Sequence, residues 1–170
     1  MSAPRILLIG YGNPGRGDDG LGPALAHAVE ALGLIGVTVE CDYQLMVDHA
    51  ALIATHDLVV FADAMIGLET PYRFTEIGTA QPETLGSHQV SPEAAVALAK
   101  LLFGHAPPGW LLGIAGDEFG EVKEGLGPRA RRNLDLAVAF LHDWIASQRA
   151  ASQAGNGELL PDPWTDFRLS

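Results

Sequence analysis

The sequence predicts an α/β fold: a three-layer sandwich in which a mostly parallel, twisted sheet of about five strands carries helices on both faces. Three observations lead there. Short apolar runs alternate with longer segments whose apolar residues recur at helical spacing. The purest runs, in "RILLIGY" and "DLVVFADA", lack the polar alternation of a half-solvated strand, as expected of strands covered on both faces. And 170 residues, 48% of them hydrophobic and 18% charged, suffice for one domain with a substantial core.

Residues 5–11 make the first strand. Residues 20–32 follow as a helix, with Leu21, Leu25, Ala28, Val29 and Leu32 on one stripe. "VTVECDYQL", residues 37–45, reads as the second strand. A short helix over about 47–55 has Asp48 near its start, where the dipole favours an anion. The third strand, residues 57–64, runs into an acid, Asp63. "YRFTEIG", residues 72–78, has the alternation of a strand with one solvated face. "SPEAAVALAKLLFG" opens with the Ser-Pro-Glu start of a helix and stops at Gly104. "GWLLGIAGDE" is a fifth strand and "FGEVKEGLGP" a loop. A last helix over about 129–149 is striped by Leu134, Val138, Leu141 and Ile145. From Ala150 the composition turns to Ser, Gln, Gly, Asn and Pro. The domain is therefore expected to span 1–149, with 150–170 a tail that is mobile or docked through Trp164 and Phe167.

A net charge of −11 argues against nucleic acid and against anionic membranes as partners, since both require a basic face. The single cysteine, Cys41, permits no internal disulfide and no cysteine-based zinc site. The first apolar run is too short for a secretion signal and no stretch is long enough to span a bilayer, so a cytoplasmic protein is expected.

The chemistry concentrates in "LLIGYGNPGRGDDGLGP". Gly10, Gly12 and Gly15 satisfy G-x-G-x-x-G behind a strand, and Glu40 and Asp42 lie where a dinucleotide fold keeps its ribose-binding acid. Three features oppose a nucleotide. The helix starts near Gly20 rather than within the glycines, so its amides are not offered to a pyrophosphate. Asp18 and Asp19 would face that pyrophosphate, at about 1–4 kcal/mol each for like charges in contact. No second domain remains to hold a substrate. A P-loop fares worse: the Gly12-to-Gly17 spacing fits, but Asp18-Asp19 stands where lysine and a hydroxyl are needed.

One of the paired aspartates suits the cap of the first helix. Both together, beside the strand-end acids Asp42, Asp63, Asp117 and Glu118, point to a cation. Asp63 ends the most apolar strand, where a carboxylate is costly unless hydrogen-bonded, paired or ligating. His88, in "GSHQVSP", follows the fourth strand and precedes a helix, so it can return to the same sheet edge. His27, His49, His56 and His142 fall on or beside helices and read as solvated; His105 sits in a proline-rich turn. Asp19, Asp63 and His88 would leave open positions on a borderline ion such as nickel or zinc.

In order and spacing, "LLIGYGNPGRGDDGLGP", "DLVVFADA", "SHQVSPEAAVALA" and "LLGIAGDEFGEVKEGLGP" resemble the [NiFe]-hydrogenase maturation endopeptidases, over about 5–146. The resemblance implies a protease, a peptide hydrolase that removes the C-terminal extension of the hydrogenase large-subunit precursor after nickel insertion. Nickel would be carried by the substrate and bound transiently, with no organic cofactor. The metal-contacting trio implied by motif is Asp19, Asp63 and His88, with Asp19 and Asp63 also the catalytic candidates. Two departures stand out. Several relatives have Glu at the position of Asp19, and "CDYQL" replaces an Asp-Gly-Gly-Thr turn, which resembles the branch serving bidirectional or NAD-linked hydrogenases. The chain offers no Ser/His/Asp set, no strand-end cysteine nucleophile and no zinc-protease motif. Amide hydrolysis then needs the substrate's metal to polarise a carbonyl or water, or a carboxylate as general base. Which aspartate takes which role stays open. Asn13 either stabilises the loop or hydrogen-bonds the substrate, Asp19 is expected to face the metal, and Asp18 to cap the helix. The alternative function is a metal-sensing chaperone of the same fold that docks the precursor and cuts nothing.

Overall fold

The computed structural model describes residues 2–78, 89–120 and 122–155. Five strands form one sheet: β1 (Ile6–Tyr11), β2 (Val37–Asp42), β3 (Leu58–Ile66), β4 (Tyr72–Glu76) and β5 (Gly109–Gly116). Their order is β2-β1-β3-β5-β4, with every pairing parallel except that of the edge strand β4 with β5. The helices are α1 (Leu21–Ala31), α2 (His49–Ile53), α3 (Pro92–Phe103) and α4 (Pro128–Ala154), and a 3-10 turn over Gly17–Gly20 leads into α1. This is the α/β architecture that the alternating pattern predicts, with five strands and helices on both faces.

The apolar run of β1 is explained by its alternation between two cores. Ile6 and Leu8 join Leu21 and Leu25 of α1 and Leu141 of α4 on one face. Leu7 and Ile9 join Ile53 of α2 and Ala95 and Ala99 of α3 on the other. A strand in the middle of three layers has no solvated side on which to place a polar residue. β4, at the edge, keeps one: Arg73, Thr75 and Glu76 are exposed, while Tyr72 and Phe74 pack on Phe140 and Trp144 of α4 with ring centroids 4.9–5.2 Å apart. The ends of α3 follow the sequence signals. Ser91 Oγ accepts the Ala94 N–H at 3.1 Å, Pro92 takes the first helical position, and Gly104 closes the helix at φ 77°.

Some boundaries and burials differ from the sequence expectations. β2 leaves the sheet at Asp42 rather than continuing to 45, because its partner β1 ends opposite it at Tyr11. α4 continues past Arg149 to Ala154: Ala150, Ala151 and Gln153 are good helix formers, and the changed composition does not stop the helix. Residues 156–170, with Trp164 and Phe167, lie outside the described residues. His49 and His56 are buried, at 8% and 7% exposure, not solvated. Each is satisfied locally. His49 Nδ1 accepts the Met46 N–H at 2.8 Å, and the His56 ring lies 2.8 Å from the Leu52 carbonyl and 3.0 Å from Thr38 Oγ1. Among the described residues no helix is long and apolar enough to cross a membrane.

The connection from β1 leads outward to β2, and the next returns past β1 to β3. The winding direction therefore reverses between β1 and β3. Their carboxyl ends flank the crevice where ligands gather in open α/β sheets.

Candidate functional site

The ladder between β1 and β3 ends at Gly10 and Ala62. Asp63 is the next residue of β3, while β3 itself continues along β5 to the Ile66–Gly116 pair. Asp63 thus sits where β1 peels away, inside the strand rather than at its end. Beyond it opens a cleft of about 290 Å³ lined by Tyr11, Asp19 and Asp63 on the sheet side, and by Gln44 and Leu45 from the β2–α2 loop. The two aspartates selected from sequence are brought together. His88 lies outside the described residues; Gln89 and Val90, which follow it in the chain, line the same cleft.

The glycine loop presents Asp19 through its own hydrogen bonds. Asn13 Oδ1 accepts the Gly15 N–H at 2.9 Å, and the Asn13 N–H donates to Asp19 Oδ2 at 2.9 Å. Asn13 therefore shapes the loop and fixes one oxygen of Asp19. The glycines serve close packing. A Cβ on Gly22 would overlap the carbonyl oxygens of Tyr11 and Ala62, so only glycine lets α1 lie this close to β1 and β3. Gly12, at φ 143°, would meet the Asp19 carbonyl in the same way. The G-x-G spacing that looks like a phosphate cradle serves close backbone packing here, since a Cβ on Gly10 would overlap the Gly22 carbonyl and one on Gly12 the Asp19 carbonyl.

Asp18 does not cap α1, whose first turn receives no side-chain cap. It is 1% exposed, and its carboxylate accepts three backbone N–H groups at 2.8 Å: Asp117 and Glu118 on Oδ2, Gly127 on Oδ1. Burial opposes its ionisation, but the three donors, with Lys123, outweigh it and hold the carboxyl below its ordinary range. Backbone bonds extend the seam: the Gly17 N–H donates to the Lys123 carbonyl at 2.7 Å and the Lys123 N–H to the Gly15 carbonyl at 2.9 Å. The glycine loop and the β5–α4 loop are therefore one unit, with Asp18 at its centre.

The remaining strand-end acids are engaged elsewhere. Asp117 pairs with Arg129, Glu118 with Lys123, and Asp42 faces His49 Nε2 at 3.7 Å. Only Asp19 and Asp63 of that group line the 290 Å³ cleft. Among the described residues no three His, Cys, Asp or Glu side chains form a group fit to hold a metal. Asp63 is half-buried. Desolvation pushes its carboxyl up to about 6, helped by the charge of Asp19 and resisted by the Ala64 N–H and the Tyr11 hydroxyl. Burial, and then Asp63 itself, raise the Tyr11 phenol, so it stays protonated and donates to Asp63. Tyr11 is a functional residue that motif reasoning passes over, although it is the only polar side chain at the end of an otherwise apolar strand, two residues before Asn13.

Fold and cleft together define an α/β protein with a paired-carboxylate crevice at its switch point, and the fold is that of the [NiFe] hydrogenase maturation proteases. The maturation protease HycI from Thermococcus kodakarensis KOD1 superposes with a TM-score of 0.66 at 22% identity, covering 84% of this chain and 92% of that chain. The hydrogenase-maturating endopeptidase HybD from E. coli gives 0.60 at 20% identity, over 84% of this chain and 93% of that chain. The hydrogenase 2 maturation peptidase from Thaumarchaeota archaeon SCGC_AB-539-E09 gives 0.61 at 18% identity, over 83% and 97%. No protein-family model matches the sequence, and the search of curated proteins returns no match.

Proposed function

We propose that the protein is a [NiFe]-hydrogenase maturation endopeptidase, acting in the cytoplasm, that removes the C-terminal extension of the large-subunit precursor after nickel insertion. Nickel is carried by that substrate and is recognised through Asp19, Asp63 and His88. The observation that carries this reading is the sharing of one cleft by Asp19 and Asp63, at the β1/β3 crevice of a fold found in named maturation proteases. Burial, helped by the Asp19 charge, raises the cost of ionising Asp63, and a divalent cation brought by the substrate offsets it. Hydrolysis of the amide needs a base for the attacking water and an acid for the departing amine. An aspartate whose proton leaves at about 6 can serve both steps near neutral pH. Asp19, tied to the Asn13 amide, is held as an acceptor in fixed orientation. The Gln44-Leu45 wall, where the sequence departs from the Asp-Gly-Gly-Thr turn, goes with a client of the bidirectional or NAD-linked class.

The test is direct. Incubated with nickel-loaded precursor, the protein should shorten the large subunit by the mass of its extension, and Asp63→Asn or His88→Ala should abolish the shortening. A stable complex in which the precursor stays at full mass would make the protein a docking chaperone and overturn the protease assignment.

A further inference from the structure

The end of β1 places a phenol beside Asp63. The β1–β3 ladder stops at Gly10 and Ala62, so Tyr11 and Asp63 come next in register, on the same face of the sheet as Ile9 and Phe61. The Tyr11 ring packs on the core that α2 and α3 cover, which anchors it. The same residue lines the 290 Å³ cleft together with Asp19 and Asp63, and its hydroxyl reaches the Asp63 carboxylate. Burial first, then the charges of Asp63 and of Glu93 in the first turn of α3, keep the phenol neutral, so it acts as a donor.

A carboxylate offers about four acceptor sites. On Asp63 the Ala64 N–H and the Tyr11 hydroxyl are the donors, and neither carries a charge. On Asp19 the Asn13 N–H donates to Oδ2. Both aspartates thus take a neutral donor from one three-residue stretch, Tyr11 to Asn13, and both keep acceptor capacity for the cleft. A lysine or arginine at position 11 would also orient Asp63, but it would hold the acid ionised and repel an arriving cation. Phenylalanine would fill the same core space and leave Asp63 without that guide.

We propose that Tyr11 is the positioning residue of the Asp63 carboxylate: its hydroxyl fixes the rotamer that aims Asp63 at the scissile amide of a peptide in the cleft. The role rests on the cleft being a peptidase site, but one arm of its test requires no cleavage.

The chain has three tyrosines, so carbon-13 labelling of the phenolic Cζ gives three NMR signals, of which Tyr11→Phe identifies one. At pH 8 the Tyr11 signal should move in Asp63→Ala, move less in Asp63→Asn, which keeps an acceptor, and stay in place in Asp19→Asn. Tyr72, packed on Phe140, is the control. With nickel-loaded precursor, Tyr11→Phe should lower kcat about tenfold, as expected for one lost hydrogen bond to a charged group, with KM within about twofold. A Tyr11 signal indifferent to Asp63→Ala, a Tyr11→Phe variant that cuts at the wild-type rate, or a loss confined to KM would overturn the positioning role. A precursor left at full mass by the wild type, beside a Tyr11 signal that follows Asp63, would overturn the protease assignment and leave the tie between the two residues standing.

Discussion

Replacing Asp63 with asparagine should stabilise the folded protein at neutral pH, even though it removes a residue of the candidate site. Burial and the neighbouring Asp19 charge keep the Asp63 proton in place until about 6, against an ordinary value of 3.8. At 1.36 kcal/mol per pH unit, that span means the fold disfavours the ionised carboxylate by about 3 kcal/mol. Because the folded-state value is raised, the stabilising effect of the protonated acid is fully present below 3.8. It is lost as the pH rises through about 6 and stays lost above it. Asparagine keeps the shape and an acceptor for the Tyr11 hydroxyl but cannot ionise. Partial solvent access trims the difference to about 2 kcal/mol. Urea denaturation of both proteins between pH 4 and pH 8 measures it. The two should be nearly equal at the acid end, and the variant should gain about 2 kcal/mol at the alkaline end with an unchanged m-value. Parallel pH profiles, or a variant less stable at pH 8, would refute the electrostatic account of this cleft.

Asp18 should show the opposite sign. Its folded-state value is lowered, so its contribution is present above 3.8 and lost as the pH falls through the lowered value. Acid unfolding of the wild type should therefore be steeper than that of Asp18→Asn, and Asp18→Ala, which strands the buried Gly127 amide and the part-buried Asp117 and Glu118 amides, should cost about 2–3 kcal/mol in urea at pH 7. Gly22→Ala sets a methyl against the carbonyls of Tyr11 and Ala62 and should cost about 2–3 kcal/mol, read as a drop in thermal midpoint. NAD at millimolar concentration should leave the thermal midpoint where it is, since Asp19 stands where a pyrophosphate would need a donor; a rise with ligand concentration would restore the dinucleotide reading.

The parallel sheet was legible because β1 and β3 are buried on both faces, which leaves an unbroken apolar run that few other environments produce. Caps such as Ser91 and Gly104 were legible because their partners lie within the same turn of chain. Asp19 and Asp63 could be paired because the strand-end rule converts two distant loops into neighbours. What escaped depends on partners that no local pattern names. Asp18 meets Asp117, Glu118 and Gly127 across 99, 100 and 109 residues, and from sequence a helix cap accounts for it just as well. The burial of His49 is not legible because α2 is one and a half turns long, too short for a stripe to separate inner from outer residues, and that of His56 because it depends on Thr38, 18 residues away. Sequence puts Asp63 at a strand end because it shows where the apolar run stops, not where a neighbouring strand departs.

The adjacent aspartates of the glycine loop divide two opposing electrostatic tasks between neighbouring residues. Asp18 faces inward, where three N–H donors make ionisation favourable in spite of burial, and it ties the glycine loop to the loop after β5. Asp19 faces the cleft, where its charge adds to burial in making ionisation of Asp63 unfavourable. A rigid anchor beside Asp19 and Asp63 is what the proposed transient cation site requires: the anchor would keep the loop from swinging away, so that a cation and not movement would relieve the repulsion. This predicts an asymmetry between the two replacements. Asp19→Asn removes the charge acting on Asp63 and should lower its apparent pKa while leaving global stability within about 1 kcal/mol. Asp18→Asn should loosen the loop first, seen as faster amide exchange at Gly17 and Lys123 under conditions where the β3 amides remain protected. If the two variants exchange and unfold alike, the aspartates act as one unit and the division fails.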